Sequence, residues 1–215
     1  MASSAIHMAV AHEINKVIKR DYDRLLIGSI APDISKQVGQ SKIKSHFLDN
    51  DSTDIPNIEK FLFKYRDKIN DDFVLGYFIH LYTDYLWFKY FIPEFCEDDM
   101  ITKLDGSVVK CTGNMLSMYI YNDYTNLNLQ LFDEYDMDLH IFYEEHPPLD
   151  NIIEEIPMED IQIIIDTASV IIENSKVYRD FTFDIRNIRK FIDFSVELIV
   201  AKICEFRLID IDLDN

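Results

Sequence analysis

His80 and Asp84 are the two residues whose types and spacing point most directly to chemistry. They stand four positions apart in residues 71–92, DDFVLGYFIHLYTDYLWFKYFI, the most apolar segment of the chain. On a helix, this spacing places an imidazole and a carboxylate side by side on one face. A buried, ionised carboxylate is unfavourable unless a cation compensates it, and Lys89 of this segment falls on the far side of the helix. The pair therefore indicates a divalent metal ion, with a metal-free His–Asp hydrogen bond in the core as the alternative.

Three further residues complete a set of metal ligands. His7 falls in the apolar stripe of a helix predicted over residues 4–20. Asp33 ends an apolar stretch with a proline before it, and His46 precedes a phenylalanine. Three histidines and two aspartates suit zinc, and they also suit manganese or iron. The set comes from four separate segments, so the convergence of these side chains is itself a prediction.

The same residues carry a resemblance to a known family. In chain order they are His7, then GSIAPDI, SHF and GYFIHLYTDYLW. This ordered combination resembles the zinc-dependent phospholipase C family, specifically its short, leaderless members. Residues 119–128, YIYNDYTNLN, are similar to a tyrosine- and aspartate-rich motif of those members. The resemblance spans roughly residues 4 to 130.

This resemblance implies an all-helical fold with metal ions between helices and hydrolysis of a phosphoester by metal-activated water. It implies one zinc ion held by Asp33, His46, His80 and Asp84, and a neighbouring ion held by His7 and the shared Asp84. Asp33 could also orient or deprotonate the water, which makes it the candidate catalytic residue. The secreted enzymes of the family carry another histidine soon after the aspartate of the central helix, and this chain has none there. We therefore expect one or two ions, Zn²⁺ first, with Mn²⁺ or Fe²⁺ as alternatives.

Several other polar residues are weaker candidates. His140 and Glu144 are a possible counterpart of a histidine–glutamate pair in the family, with a solvated loop as the alternative. Asp123 and Asn128 could support the ligands or contact a substrate, or they could belong to a capped or solvated helix face. His12 is expected on the solvated face of the first helix.

Composition favours helices over sheets. The chain has 215 residues, of which 48% are hydrophobic, with 5 glycines and 6 prolines. A β-sandwich or barrel of this length needs many more turns of the glycine and proline type. We predict an all-α fold, a single helical domain over residues 1–215, with the metal site between the N-terminal and central helices. Further helices are predicted near 56–69, 71–92, 114–133, 158–175 and 184–208, with loops over 35–45 and 93–113.

The net charge and the cysteines limit the partners and the compartment. Lys plus Arg is 21 and Asp plus Glu is 39, which gives a formal charge of −18. Such a charge repels nucleic acid and anionic membranes, so we expect neither nucleic-acid binding nor stable membrane association. Cys96, Cys111 and Cys204 are too few and too widely spaced for a disulfide framework. With no signal-like or membrane-spanning segment, the expected location is cytoplasmic.

These features together favour a metal-dependent phosphoester hydrolase acting on a small phosphoester or a lipid head group. The alternative is a non-catalytic regulatory or structural protein in which the metal stabilises the fold. An open coordination position would favour the enzyme, and a closed tetrahedral shell would favour the structural role. A phosphohydrolase of the HD type is disfavoured, because no His–Asp dipeptide occurs in the chain. The oligomeric state stays open.

Overall fold

Helices dominate the part of the chain that the computed structural model describes, which is residues 1–51, 53–111, 115–137, 140–173 and 182–205. This confirms the predicted all-α class. The helices are α1 (Ser4–Ile18), α2 (Tyr22–Ile30), α3 (Ile34–Gln37), α4 (Lys42–Ser45), α5 (Ile58–Tyr65), α6 (Asp72–Leu86), α7 (Met115–Tyr135), α8 (Ile161–Glu173) and α9 (Ile185–Glu205). Among these, none has the length and apolarity needed to cross a bilayer.

Helix α6 is the central helix of the fold, as the sequence predicts. Asp71 caps its first turn, because its side chain accepts hydrogen bonds from the amides of Phe73 and Val74. Nearly every residue of α6 is buried, and the helix continues after Leu86 as a π-helical turn over Trp87–Phe91. Helix α1 packs against α2 and α6 with its apolar residues buried.

Two glycines allow α2 and α6 to approach each other closely. A Cβ atom on Gly28 would lie 2.2 Å from the carbonyl oxygen of Phe73. A Cβ atom on Gly76 would lie 2.2 Å from the carbonyl oxygen of Leu25. Both distances are far below van der Waals contact, so any larger residue would push the helices apart. The backbones of α2 and α6 thus touch directly, a contact that we call the glycine contact.

The segment between α2 and α5 differs from its prediction. A 3₁₀ helix, Ala31–Asp33, joins α2 to α3, and the predicted loop over 35–45 contains the end of α3 and the whole of α4. The Ser41 side chain caps α4 by accepting from the amide of Ile43. Helices of four residues have too few turns for hydrophobic periodicity, so sequence patterns do not reveal them.

The predicted loop over 93–113 contains a small antiparallel sheet. Its strands are β1 (Cys96–Glu97), β2 (Met100–Thr102) and β3 (Val108–Lys110), in the order β1-β2-β3. Asp98 and Asp99 connect the first two strands with φ values of 47° and 60°, the left-handed conformation that a two-residue hairpin turn requires. Ile101 is fully buried and its two neighbours in β2 are exposed, so one face of the sheet packs on the protein.

Candidate metal centre

The five predicted ligands lie together in the structure, although four segments supply them. We call them the metal centre: His7 from α1, Asp33 at the end of the 3₁₀ helix, His46 directly after α4, and His80 and Asp84 from α6. The side chains of all but Asp33 are 0–2% exposed, and that of Asp33 is 12% exposed. Two overlapping sets of three could each hold an ion, with His80 in both sets.

Asp33, His46 and His80 each offer a donor atom within 4.8 Å of the other two, and Asp84 Oδ2 lies close to both imidazoles. The Nε2 atoms of His46 and His80 are 3.2 Å apart, and His46 Nε2 is 3.5 Å from Asp33 Oδ1. Asp84 Oδ2 is 3.8 Å from His46 Nε2 and 3.6 Å from His80 Nε2. Donor atoms at about 2.0–2.1 Å from a tetrahedral zinc ion are about 3.3 Å from one another. These buried groups could therefore hold a metal ion.

Hydrogen bonds to the other ring nitrogens orient both imidazoles. His80 Nδ1 is 2.7 Å from the carbonyl oxygen of Ser29. Because a carbonyl only accepts, the proton of His80 is on Nδ1 and the lone pair of Nε2 faces the other ligands. His46 Nδ1 is 3.0 Å from the hydroxyl of Ser45, and the Tyr77 hydroxyl donates to the Ser45 carbonyl at 2.5 Å. Such outer partners fix the rings of metal-binding histidines.

His7 contacts both His80 and Asp84. Its ring stacks on the ring of His80 with the centroids 3.7 Å apart, and its Nε2 is 3.4 Å from Asp84 Oδ1. The same oxygen of Asp84 accepts a hydrogen bond from the amide of Ala2 at 2.9 Å. Asp84 thus offers one oxygen to His7 and the other to the pair His46 and His80.

Several buried polar atoms of the centre have no hydrogen-bond partner within the described residues. They are both ring nitrogens of His7, Asp33 Oδ1 and Asp84 Oδ2. Leaving a buried donor or acceptor unsatisfied costs about 1–3 kcal/mol, so native structures rarely contain such a group of them. A cation among these atoms would satisfy the carboxylate oxygens and the ring nitrogens together.

The protonation states of the centre suit metal binding. Burial alone would raise the pKa of Asp84, yet the neighbouring His7 ring holds that pKa far below its usual range. Burial likewise opposes ionisation of Asp33, but the His46 and His80 rings lower its pKa to about 2. Burial, reinforced by the nearby His7, lowers the pKa of His80 to about 3. At neutral pH the carboxylates are ionised and His80 is neutral, the forms that bind metal ions.

The weaker sequence candidates lie in other contacts. His140 Nε2 is 2.6 Å from Asp23 Oδ1, so its ring bonds to α2 and not to the metal centre, while Glu144 is exposed. Asp123 accepts from the backbone amides of Thr182 and Phe183 and thus holds the chain before α9.

His12 differs from its prediction. The sequence predicts a solvated ring, but the side chain is only 13% exposed, and its Nδ1 is 2.8 Å from the Tyr22 hydroxyl. Helix α2 follows α1 after a short turn and covers this part of the predicted solvated face. Asn128 is buried, which agrees with a supporting or contact role better than with a solvated face.

Sequence reasoning did not identify the residues that orient the ligands. These residues are Ser29, Ser45 and Tyr77. They act through a carbonyl, a hydroxyl and a phenol, and metal-ligand patterns include none of these groups. Ser45 directly precedes His46, and Tyr77 lies three residues before His80 on one helix face. The polar hydroxyl of Tyr77 in an otherwise apolar segment is the signal that could have found it, whereas Ser45 lies among polar residues and gives no such signal.

A cavity of about 330 Å³ adjoins the metal centre. Asp33 is the residue of the centre that lines it, which agrees with Asp33 being the most exposed of the five. The cavity lies between the first residues of the chain, α3, α7 and α8. A ligand of moderate size could therefore reach the edge of the centre at Asp33.

Comparison of the chain with protein-family models, with curated proteins and with solved structures found no match. The resemblance to the zinc-dependent phospholipase C family thus stays a prediction from the ordered motifs around the five ligands. The distances within the metal centre do not depend on that resemblance.

Proposed function

We propose that this protein is a metal-dependent hydrolase of phosphoesters, with zinc as the expected ion. The observation that carries the proposal is the convergence of five buried ligand side chains with unpartnered atoms beside a cavity. Unrelated segments rarely bring three imidazoles and two carboxylates together in a core without a ligand to satisfy them.

The contacts suggest how the residues would divide between ions. One ion would be held by Asp33, His46 and His80, whose donor atoms lie within 4.8 Å of one another, with Asp84 Oδ2 beside both imidazoles as the fourth ligand. His80 would serve a single ion, since its Nδ1 donates to a backbone carbonyl. A second ion would be held by His7 and the Oδ1 atom of Asp84, which are 3.4 Å apart.

The second ion would carry the chemistry. Only two of the five residues would hold it, so coordination sites would stay open for water and substrate. A divalent ion there lowers the pKa of water and neutralises charge that develops on phosphoryl oxygens. Asp33 lines the cavity at the edge of the centre, so its carboxylate would be placed to accept a hydrogen bond or a proton from the attacking water. The buried surroundings strengthen these interactions.

The substrate we expect is a small phosphoester or a lipid head group that leaves its bilayer. The formal charge of −18 disfavours sustained contact with an anionic membrane or with nucleic acid. A cytoplasmic location agrees with the three unpaired cysteines, all of which are free thiols.

A non-catalytic, metal-stabilised protein is the second candidate. The four-residue set could close a tetrahedral shell around one ion and leave no open position, as in structural zinc sites. In that case the ion would link α6 to the segments of Asp33 and His46 and stabilise the fold. The number of bound ions distinguishes the two candidates.

The test is the metal content of protein purified without added metal, measured beside His80→Ala and Asp84→Ala. His140→Ala is the matched control, since its ring lies outside the metal centre. We expect one or two equivalents of zinc, manganese or iron in the wild type and the control, and loss in both centre variants. A panel of phosphomonoesters and phosphodiesters then tests for turnover.

Each outcome decides between the candidates. Two equivalents together with turnover support the hydrolase. One equivalent without turnover on any ester supports the structural role. No metal in the wild type, even after incubation with the three ions, contradicts both and leaves the five residues as a buried polar network.

A further inference from the structure

The cavity beside Asp33 has one wall of apolar residues and one exposed cation. Ile164 and Ile171 of α8 and Tyr124 of α7 supply apolar surface. Lys36 lies one helical turn after Asp33 and lines the same cavity. Its side chain also lines a neighbouring cavity of about 480 Å³, so it stands between the two spaces.

Lys36 is held in place without being neutralised. Its Nζ donates a hydrogen bond to the Tyr121 hydroxyl at 2.9 Å and lies 5.2 Å from the centre of that ring. The bond to Tyr121 raises the pKa of Lys36, so the amine is charged at neutral pH. In the described part of the chain, no carboxylate lies within ion-pair distance of it, whereas the nearby Lys42 pairs with Asp54.

Asn128 supplies an independent sign of a ligand in the cavity. The residue is 1% exposed and lines the cavity, and its Oδ1 atom has no hydrogen-bond partner among the described residues. A buried amide oxygen of this kind costs stability unless a donor reaches it. A hydroxyl or amide group on a bound molecule would provide that donor.

We propose that this cavity binds the organic group of a compact phosphomonoester, with Lys36 contacting the second negative charge of its phosphoryl group and Asn128 hydrogen-bonding its organic group. The proposal rests on the proposed function, because the phosphoryl group would lie at the Asp33 edge of the metal centre. A monoester dianion carries one more negative charge than a diester, and a lysine without a carboxylate partner favours the dianion. A volume of about 330 Å³ is at the lower end of the range for ligand cavities, which suits a compact group.

Binding of phenylphosphonate tests the proposal without requiring turnover. Calorimetry at pH 8 compares this dianion with its monoanionic methyl ester, using the metal-loaded protein. We expect Lys36→Met to weaken phenylphosphonate binding at least about tenfold and methyl ester binding about threefold or less, since a charged hydrogen bond is lost only for the dianion. Lys36→Arg should retain most of the affinity for the dianion.

Lys44→Met is the matched control, because Lys44 is an exposed lysine of neighbouring α4 that lines neither cavity. It should bind both probes as the wild type does. Asn128→Ala, tested with phenylphosphonates that carry a ring hydroxyl, should abolish any preference for them over phenylphosphonate itself. The absence of such a preference in the wild type would overturn the role of Asn128.

The outcomes separate this proposal from the proposed function. If the wild type binds phenylphosphonate through Lys36 but hydrolyses no ester, the hydrolase fails and the cavity stands as a phosphoryl-binding site. If the wild type hydrolyses esters while Lys36→Met weakens both probes equally or neither, the cavity proposal fails and the hydrolase stands. A wild type that does not bind phenylphosphonate also overturns the cavity proposal.

Discussion

Two clusters of histidines in this protein differ in how the polar atoms of their rings are satisfied. The metal centre is buried, and neither nitrogen of His7 makes a hydrogen bond within the described residues. The second cluster, which we call the Tyr22 cluster, consists of His12, Tyr22, Asp23 and His140. There the side chains of His140 and Asp23 are 28% and 37% exposed and bonded to each other. His12 bonds to Tyr22, whose ring stacks with that of His140.

The difference shows what distinguishes a binding site from a surface contact. Both clusters contain imidazoles next to carboxylates, so residue type does not separate them. The number of buried unpartnered atoms does: among the described residues the metal centre has four and the Tyr22 cluster has one, His12 Nε2. Water satisfies an exposed polar group and cannot reach a buried one. Changes in the metal centre should therefore have large effects, and equivalent changes in the Tyr22 cluster should have small ones.

The largest effect is expected from Asp84→Ala. Asp84 offers one oxygen to His7 and the other to His46 and His80, so its removal disrupts both proposed ion positions. We expect loss of all bound metal and a decrease in kcat/KM on the order of 10³-fold. Metal analysis and steady-state kinetics measure the two effects. Retention of full metal content would show that the protein binds its metal outside the metal centre.

Removal of the metal should lower thermal stability. An ion at a hundred times its Kd stabilises the folded state by about 2.7 kcal/mol. For a chain of this size that corresponds to a decrease in Tm of about 5–10 °C on chelation. Differential scanning calorimetry with and without chelator gives the value, and His140→Ala should show the same difference as the wild type. An unchanged Tm would indicate that no ion is bound in the native state.

Gly76→Ala tests whether the glycine contact positions the centre. The new Cβ would clash with the backbone of α2, which carries the Ser29 carbonyl that orients His80. We expect about 1–3 kcal/mol of destabilisation and weaker metal binding. Gly106→Ala is the control: it introduces strain at a φ of 80° but lies in the turn between β2 and β3. A metal affinity equal in both variants would argue against the glycine contact as a positioning feature.

Acidification should destabilise the metal-free protein through His80. Its folded pKa of about 3 is below the unfolded value near 6.5, so the unfolded state binds the extra proton between these values. Stability is therefore retained above about pH 6.5 and falls by about 1.4 kcal/mol per pH unit below it. Asp33, with a pKa of about 2, adds a further loss only below about pH 4.

Urea unfolding in chelator at several pH values measures this slope. His80→Gln removes the titrating ring and should flatten the profile between pH 6.5 and 4.5. If His80→Gln keeps the wild-type slope, other histidines cause the pH dependence of stability.

The smallest effect is expected from His140→Gln in the Tyr22 cluster. Exposed ion pairs contribute about 0–1 kcal/mol, so the free energy of unfolding should change by less than about 1 kcal/mol. Metal content should not change. Urea unfolding and metal analysis check both points, and any loss of metal would remove the distinction between the two clusters.

The central features of this protein are predictable from sequence because they depend on local patterns. The length, apolarity and cap of α6 predict a buried helix, and the four-residue spacing of His80 and Asp84 places them on one face. His7 and Asp33 stand out because their neighbours are apolar. His46 follows a polar segment and is predicted from its place beside Phe47 and in the ordered motif. The structure brings all three to the α6 pair.

The features that sequence does not predict depend on contacts between distant segments. The short helices α3 and α4 and the hairpin at Asp98 and Asp99 have weak local signals, since Asp-Asp is a poorer turn sequence than Asn-Gly. The Ser29 carbonyl reaches His80 only through the packing of two helices. The identity of the ion, the substrate and the family stay predictions.

The glycine contact also bears on how such a centre could be transferred to another protein. Because backbone atoms of α2 and α6 touch at Gly28 and Gly76, no side chain separates the carbonyl of Ser29 from the ring of His80. A designer who grafted the five ligands onto an ordinary pair of helices, spaced about 8–10 Å apart, would leave that carbonyl out of reach. A successful graft would therefore need the two glycines as well as the five ligands, although the glycines touch no ion.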